Sequence, residues 1–359
     1  MLPPRILRRL VFPPMVLLFT VGAIVVSPLL FLIGLIASPS HRGRRRTLRL
    51  IWFGLSWLVM ESLALLACLG LWIASGFGGR LRSEASMDRH YALVRWFLST
   101  LFQRAVAVFQ LRVEVDEPPL TAEEQAARLA RPVIVLSRHA GPGDSFLLVH
   151  QLLSVYRRKP RIVMKAALQF DPSIDVVINR LPHAFVHPHR TVPAQREETE
   201  REQADGPVIY EIRRLASGLD NAGALVIFPE GGNFTPNRWR RGIRRLEEAQ
   251  RFREAERARR MANLLPPRSG GAFAAIDAAP NADVIFVAHT GLDDLITVGD
   301  VWRALPMEQV ILARWWRVPA SEVPRDRDEV MRWLYDWWER IDAWIAENRP
   351  VRPSIHEHH

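Results

Sequence analysis

Two long apolar stretches lie in the first quarter of the chain. Residues 10–37 include no charged side chain over 28 positions, and residues 50–75 include only Glu61. Because a helix of about 20 apolar residues crosses the hydrocarbon core of a bilayer, the pattern predicts an N-terminal membrane-embedded helical pair. A cleaved signal peptide is a poorer interpretation, since the first stretch is too long, includes three prolines and is followed by a second apolar stretch.

The rest of the chain alternates between helical and strand-like spacing of apolar residues. Helical spacing predicts helices at residues 91–108, 121–129, 146–153, 208–219 and 330–345. Short apolar or alternating runs predict strands at residues 111–115, 133–136, 161–164, 225–228 and 284–291. Strands that alternate with helices are typical of a layered α/β domain with a mainly parallel central sheet.

The length of the chain allows a sizeable core in addition to membrane segments. It has 359 residues, of which 48% are hydrophobic. We predict three parts: an N-terminal membrane module at residues 1–80, a cytoplasmic domain at residues 81–350 and a disordered tail at residues 351–359.

Arginines flank both apolar stretches and complicate the membrane topology. They lie before the first stretch, between the two and after the second: Arg5, Arg8 and Arg9; Arg42, Arg44, Arg45, Arg46 and Arg49; Arg80 and Arg82. The positive-inside rule places all three groups in the cytoplasm, which a two-span hairpin does not allow. One solution is a re-entrant segment broken at Pro28 that dips into one leaflet. The other is an ordinary hairpin whose basic loop is tolerated.

Charge and cysteine content indicate the compartment and the partners. The net charge is +10, and only Lys159 and Lys165 are lysines. With apolar segments present and no nucleic-acid motif, the expected partner is an anionic membrane surface rather than a nucleic acid. The arginine-rich segment 238–260 is either a solvated helix or a surface that rests on such a membrane. The single cysteine, Cys68, rules out an intramolecular disulfide and suits an enzyme that faces the cytoplasm.

Two short motifs carry the candidate chemistry. His139 follows the apolar run 133–136 directly, and a turn rich in Gly and Pro brings Asp144 back five positions later. A carboxylate so placed can hold an imidazole in one tautomer while the other ring nitrogen removes a proton from an alcohol. The alternative is that Asp144 merely caps the following helix. The second motif, Phe228-Pro-Glu-Gly-Gly, also ends an apolar run and displays Glu230 in a turn.

The two motifs, in this order and spacing, resemble those of the glycerolipid acyltransferase family. The resemblance covers residues 132–291 and implies a layered glycerolipid-acyltransferase-like α/β domain with His139 as general base and Asp144 as its orienting carboxylate. It also implies that backbone N–H groups meet the oxyanion. Family members commonly carry Thr-Arg where this chain has Gly232 and Asn233. The missing arginine is the one usually assigned to the acceptor phosphate, which weakens the case for lysophosphatidic acid.

The resemblance also implies candidate substrate-binding residues. Glu230 and Gly231 would orient the acceptor or shape the turn, and Lys165 begins a Lys-x-x-Leu motif that recurs in the family. The candidate contacts to an anionic head group are Arg190, Arg238 and Arg268. For each arginine, the alternative is an ordinary surface position.

Histidines elsewhere in the chain suggest no second catalytic centre. His183, His187 and His189 lie close together, but no Cys or well-spaced acid completes a zinc site, so we predict no metal. His289, in the last predicted strand, is expected to be structural.

From the resemblance we expect transfer of a fatty acyl group from acyl-CoA, or from acyl carrier protein, to a lysophospholipid hydroxyl. The most favoured acceptor is lysophosphatidic acid, which would give phosphatidic acid. The resemblance implies acyl-CoA as a co-substrate and no cofactor, with the catalytic domain on the cytoplasmic face of the cell membrane. The alternatives are another lysophospholipid or a glycolipid as acceptor, and a non-catalytic adaptor that binds lipid.

Overall fold

A seven-stranded sheet forms the centre of the protein in the computed structural model, which describes residues 2–37, 45–117, 121, 130–186, 198–293, 298–307 and 310–349. The strands are β1 (Arg112–Asp116), β2 (Val133–Ser137), β3 (Lys159–Lys165), β4 (Ala184–Val186), β5 (Gly223–Ile227), β6 (Asp283–Thr290) and β7 (Val310–Val318). Their order across the sheet is β1-β7-β6-β2-β5-β3-β4. The α/β class predicted from the alternating pattern is confirmed.

All strand pairs are parallel except β6 with β7, so the prediction of a mainly parallel sheet is also confirmed. The three central strands β6, β2 and β5 are largely buried, which explains why each reads as a nearly continuous apolar run. We predicted β6 as the last strand of the chain and did not predict β7. β7 follows β6 and pairs with it in the antiparallel direction.

Eleven α-helices surround or extend from the sheet within the described residues. They are α1 (Arg5–Ala37), α2 (Arg46–Ala74), α3 (Glu84–Phe109), α4 (Pro142–His150), α5 (Pro172–Val177), α6 (Glu198–Ser217), α7 (Pro236–Glu248), α8 (Phe252–Arg260), α9 (Ser269–Ala278), α10 (Val298–Ala304) and α11 (Arg327–Asn348). A π-helical turn, Gln151–Val155, extends α4. Of the helix predicted at residues 121–129, all residues after Thr121 lie outside the described part of the chain.

The two faces of the sheet are covered by different helices. On one face, Leu136, Leu225 and Phe286 pack in a large core with residues of α6, α9 and α11. The C-terminal helix α11 is the core-packing helix that its apolar spacing predicts, and Trp337 stacks on Phe286 with ring centroids 4.5 Å apart. On the other face, the smaller core around Val135 includes Leu148 of α4.

The arginine-rich segment forms two helices, α7 and α8, instead of one. Gln250 between them has a φ of 58°, which ends the first helix. Ile243 and Met261 of this segment are buried, whereas Phe252 is 61% exposed. Phe252 is the first residue of α8 and points away from the core because its successors Ala255 and Ala258 occupy the buried face.

Three helices, α1, α2 and α3, are long and apolar enough to cross a membrane. The first two form the predicted N-terminal helical pair and pack along each other, with Thr20 Oγ1 3.3 Å from the carbonyl oxygen of Leu58 and the rings of Phe31 and Trp52 6.2 Å apart. The third corresponds to the helix predicted at residues 91–108. It packs between α2 and the sheet domain.

Candidate active site

The carboxyl ends of the parallel central strands meet at one edge of the sheet. Leu136 of β2 pairs with Ile227 of β5, and Ser137 pairs with Val287 of β6. Residues just beyond these pairs therefore share the edge, and they include both motifs. Ligands of open α/β sheets bind at this edge, where the loops after the strands can converge.

His139 and Asp144 are in direct contact at this edge. His139 Nδ1 lies 3.1 Å from both carboxylate oxygens of Asp144. The Asp144 side chain is 1% exposed, whereas that of His139 is 18% exposed. With Nδ1 engaged, the other ring nitrogen of His139 is left for a substrate, as a general base requires.

Backbone and side-chain donors fix the Asp144 carboxylate. Oδ2 accepts hydrogen bonds from the N–H groups of Ala140 (2.6 Å) and Gly141 (3.0 Å), and Oδ1 accepts one from Ser145 Oγ (3.1 Å). Asp144 is the third residue of α4 and not its N-cap, which is Gly141. The capping role and the orienting role are thus combined in one carboxylate.

The electrostatic surroundings keep Asp144 ionised. Burial by itself raises the pKa of a carboxyl group, but here the hydrogen bonds with His139 and with the N–H of Gly141 help to hold the pKa of Asp144 below its ordinary value. The ring of Phe228, from the second motif, packs on His139 with centroids 4.6 Å apart. The imidazole is therefore held from two sides, by a carboxylate and by an aromatic ring.

Glu230 of the second motif is hydrogen-bonded to the first motif. One of its oxygens accepts the N–H of His139 at 2.8 Å, and the other accepts the N–H of Leu265 at 2.9 Å. Burial raises the pKa of Glu230 to about 7, although Arg138 and these hydrogen bonds lower it. The carbonyl of His139 in turn accepts the N–H of Phe234 at 3.1 Å. Glu230 thus positions the backbone of the histidine and lies 3% exposed.

Gly231 and Gly232 lie directly beneath two arginine side chains. Gly231 has a φ of 69°, and a Cβ there would lie 3.2 Å from Arg268 Cζ. A Cβ at Gly232 would lie 2.8 Å from Nη1 of Arg238. The N–H of Gly231 donates to the carbonyl of Phe228 at 3.0 Å, so its part in the site is conformational. The structure therefore brings Arg238 and Arg268, predicted from separate segments, to one turn beside the histidine.

Lys165 lies apart from this cluster, and another predicted residue lies outside the described part of the chain. Lys165 is the exposed last residue of β3 and lies at the same sheet edge, two strands from β2. Because neighbouring strands are about 4.8 Å apart, Lys165 lies roughly 10 Å to the side of β2, the strand that His139 follows. Arg190 lies outside the described residues, as do His187 and His189 of the histidine cluster.

A buried ionic network that lies beneath the site was not predicted from the sequence. Arg138, 1% exposed, donates to the carbonyl of His289 at 2.5 Å and to Oδ1 of Asp293 at 2.6 Å. Asp293 also accepts from Thr290 Oγ1 and from the N–H of Gly291. The network joins the ends of β2 and β6. The only sequence signal was an arginine directly before the motif histidine.

His289 lies on the opposite side of Asp144 from His139, with Nε2 3.6 Å from Oδ2. Burial lowers the pKa of His289 to about 4, so the ring is neutral at pH 7. A neutral imidazole that is only 5% exposed is compatible with the structural role expected of it.

An apolar cavity of about 250 Å³ extends from the catalytic pair between α4 and the sheet. Its wall includes the polar residues Asp144 and His289 and the apolar residues Val135, Leu148 and Val287. Tyr156 and Trp315 belong to the same lining. The cavity has the chemistry to hold a hydrocarbon chain.

A comparison with protein families gives one match, to the family described as Acyltransferase, over residues 112–290. The matched region runs from the start of β1 to the end of β6 and contains His139, Asp144, Glu230 and Arg268. No curated protein matches the chain significantly.

Proposed function

The chain belongs to the glycerolipid acyltransferase family, and we propose that it is a membrane-bound O-acyltransferase that moves a fatty acyl group from acyl-CoA, or acyl carrier protein, to a lysophospholipid hydroxyl. The observation that carries the proposal is the contact of His139 Nδ1 with a buried Asp144 carboxylate that accepts several hydrogen bonds and lines an apolar cavity.

The proposed reaction uses His139 twice. Its free ring nitrogen takes the proton from the acceptor hydroxyl as the oxygen attacks the thioester carbonyl carbon. The tetrahedral intermediate then collapses, the C–S bond breaks, and the imidazolium returns the proton to the leaving thiolate. Asp144 stabilises the charged imidazolium between the two steps. The products are the new ester and a free thiol, and no metal or cofactor is required.

The cavity supports a long acyl chain as the transferred group. Its lining includes aliphatic side chains from α4, β2 and β6, the rings of Tyr156 and of Trp315 in β7, and the Asp144 carboxylate. A hydrocarbon chain in this space would place the thioester carbonyl near His139. Removal of about 25 cal/mol per Å² of apolar surface from water favours such binding.

Arg238 and Arg268 support an anionic head group on the acceptor. Both side chains are exposed and lie over the Gly231–Gly232 turn, which Glu230 connects to His139. They would supply the positive charge that family members commonly carry at the position of Asn233. We therefore favour lysophosphatidic acid, with phosphatidic acid as product, over a lysophospholipid with a larger head group or a glycolipid.

The membrane location follows from the apolar helices. Together with the net charge of +10, they support attachment to the cell membrane with the catalytic domain facing the cytoplasm, where acyl-CoA and acyl carrier protein occur.

The test is thiol release by the purified protein in nanodiscs. Acyl-CoA and acyl carrier protein serve in turn as donors, and lysophosphatidic acid, other lysophospholipids and a glycolipid as acceptors. We expect release that depends on the acceptor, is fastest with lysophosphatidic acid and is lost in His139→Ala. His183→Ala is the matched control, because His183 lies at the far edge strand β4. Lipid binding without release from either donor would favour the non-catalytic adaptor.

A further inference from the structure

Strand β6 presents a polar side chain at the end of an otherwise apolar row. Alternate side chains of β6, from Ile285 through Val287 to His289, line the apolar cavity. The side chains between them belong to the large core on the other face of the sheet. His289 is 5% exposed and pairs across the sheet with Ala313 of β7, which also lines the cavity. Burial of an imidazole among apolar side chains costs free energy unless its polar atoms have partners, so the contacts of this ring bear on its role.

One ring nitrogen of His289 faces two hydrogen-bond acceptors. Nε2 lies 3.4 Å from the carbonyl oxygen of Arg138 and 3.6 Å from Oδ2 of Asp144. Nδ1 is buried and has no hydrogen-bond partner among the described residues. Because both neighbours of Nε2 are acceptors, the proton of the neutral ring belongs on Nε2. His289 thus presents a donor to the Asp144 carboxylate.

Burial and a neighbouring cation keep this ring neutral. Burial, and after it the positive charge of Arg138, lower the pKa of His289 to about 4, although the carboxylates of Asp144 and Asp293 act in the opposite direction. Arg138 is held beside the ring because it donates to the carbonyl of His289 at 2.5 Å and to Asp293 Oδ1 at 2.6 Å. A protonated His289 would compete with the His139 imidazolium for the same carboxylate. The neutral ring can donate a hydrogen bond to Asp144 without taking up its charge.

Both histidines reach the same carboxylate oxygen. His139 Nδ1 lies 3.1 Å from Oδ1 and from Oδ2 of Asp144, and His289 Nε2 approaches Oδ2. The distance of 3.6 Å exceeds that of a hydrogen bond, but contacts between groups that act in catalysis often tighten in the reacting complex. When His139 becomes an imidazolium, its Nδ1–H can turn to Oδ1, which leaves room for His289 to close on Oδ2.

We propose that His289 is a positioning residue that donates its Nε2–H to Oδ2 of Asp144 and thereby fixes the carboxylate while His139 carries the transferred proton. This inference rests on the acyl transfer proposed above and extends it, since that reaction assigns no part to β6. The ring also lines the cavity. An acyl chain bound there would pack beside the ring and hold it against the carboxylate, so that occupation of the cavity and alignment of the catalytic pair are linked through one side chain.

Three substitutions of His289 separate this role from a purely structural one. Gln places an amide N–H close to the position of Nε2, Asn places it near Nδ1, and Leu removes both nitrogens. We expect His289→Leu and His289→Asn to lower kcat by about 10- to 100-fold, as the loss of a hydrogen bond to a charged group does, with KM for the thioester donor within a few-fold. His289→Gln should keep kcat within a few-fold of the wild type. Equal losses in the Gln and Leu variants, or no loss in the Leu variant, would overturn the proposal.

The matched control is His150→Leu, which also replaces a buried histidine. His150 is the last residue of α4, is 9% exposed and stacks on Phe102 with ring centroids 4.4 Å apart, and it is not part of the described lining of the cavity. Thermal unfolding in nanodiscs should show a similar fall in Tm for the two Leu variants, while kcat of the control stays within a few-fold of the wild type. An equal fall in kcat in the control would show that lost stability explains the effect, which refutes the positioning role.

A double-mutant cycle tests whether His289 acts through Asp144. In an Asp144→Asn background, His289→Leu should change the residual kcat by less than about twofold, because the carboxylate that it positions is already gone. A further loss as large as the one in the wild-type background would show that His289 acts independently of Asp144 and would overturn the proposal. Absence of acyl transfer in the wild type with every donor and acceptor is a different result, since it contradicts the proposed function itself and this inference with it.

Discussion

At the scale of single residues, the site depends on how firmly the Asp144 carboxylate is held. Three donors other than His139 converge on it, two of them backbone N–H groups at the start of α4. A carboxylate can accept all of these bonds at once, whereas an amide at the same position would present an NH2 group to at least one donor.

We expect Asp144→Asn to reduce kcat by about 10²- to 10⁴-fold, the usual contribution of general acid–base catalysis. The loss arises because the imidazolium is no longer stabilised and the ring tautomer is no longer fixed. Ser145→Ala, which removes only one bond at 3.1 Å, is the matched control and should change kcat by less than about tenfold. Equal losses in the two variants would show that the hydrogen-bonded turn, and not the negative charge, is what matters.

Glu230 gives the fold a pH dependence of its own. Because burial raises its pKa in the folded protein to about 7, the folded state binds a proton between its ordinary pKa of about 4.5 and 7 that the unfolded state has released. Its contribution to stability is therefore complete below pH 4.5 and is lost as the pH rises to 7. In thermal unfolding from pH 5 to 8, the Tm of the wild type minus the Tm of Glu230→Gln should fall as the pH rises. A difference that does not vary with pH would contradict the raised pKa.

The residues that carry chemistry were predictable to different degrees. His139, Asp144 and Glu230 stand in short motifs after apolar strands, so their local sequence indicates their place. Arg138, His289 and Asp293 were not predicted as a network, because their contacts join residues more than 150 positions apart. Which distant segments meet depends on strand order, and the sequence contains no local sign of it.

At the scale of elements, the turn after β5 is where this chain departs from its family. Two glycines allow the guanidinium groups of Arg238 and Arg268 to lie against the backbone. The N–H of Arg268 also donates to the carbonyl of Pro229 at 2.9 Å, which fixes the segment from α8 to α9 beside the turn.

We expect Arg268→Gln and Arg238→Gln each to raise KM for lysophosphatidic acid by about tenfold or more while leaving kcat within a few-fold. A charge-assisted hydrogen bond to a phosphate contributes about 1.5–3 kcal/mol. Steady-state kinetics with and without a phosphate on the acceptor measure the effect, and Arg253→Gln is the control because Arg253 is exposed on α8. An unchanged KM in both variants would remove this turn from the acceptor site.

Strands were predictable where they are buried on both faces. β2, β5 and β6 were found as apolar runs, and their alternation with helices indicated a mainly parallel sheet but not the order of its strands. β7 was missed because Arg314 and Arg317 interrupt its apolar pattern. In the fold, Arg317 binds the buried Asp283, and Arg314 lies over the ring of Trp316 at 5.3 Å. The two arginines are thus accommodated in the strand, one by a carboxylate of another strand and the other by a ring two residues away.

At the scale of the whole molecule, the position of the apolar helices decides how the enzyme meets its lipid. The sequence predicted the helical pair but left a re-entrant segment and an ordinary hairpin equally open. In the fold, α2 and α3 pack beside the sheet domain. Helix α1 contacts the same domain through an ion pair between Arg8 and Asp175, which are 6% and 2% exposed.

Asp175→Asn should therefore lower the free energy of unfolding by about 3–5 kcal/mol, because the substitution leaves the buried Arg8 without a counter-charge. The matched control is Asp88→Asn. Asp88 also forms an ion pair, with Lys159, but its side chain is 50% exposed, and such a pair contributes about 0–1 kcal/mol. Thermal unfolding in nanodiscs compares the two, with Arg8→Gln/Asp175→Asn as a third variant that should recover part of the loss, since it removes both charges together. If the single and the double variants lose equal stability, the ion pair between Arg8 and Asp175 does not hold α1 to the domain. Its apolar contacts with α2 and Phe170 hold it instead.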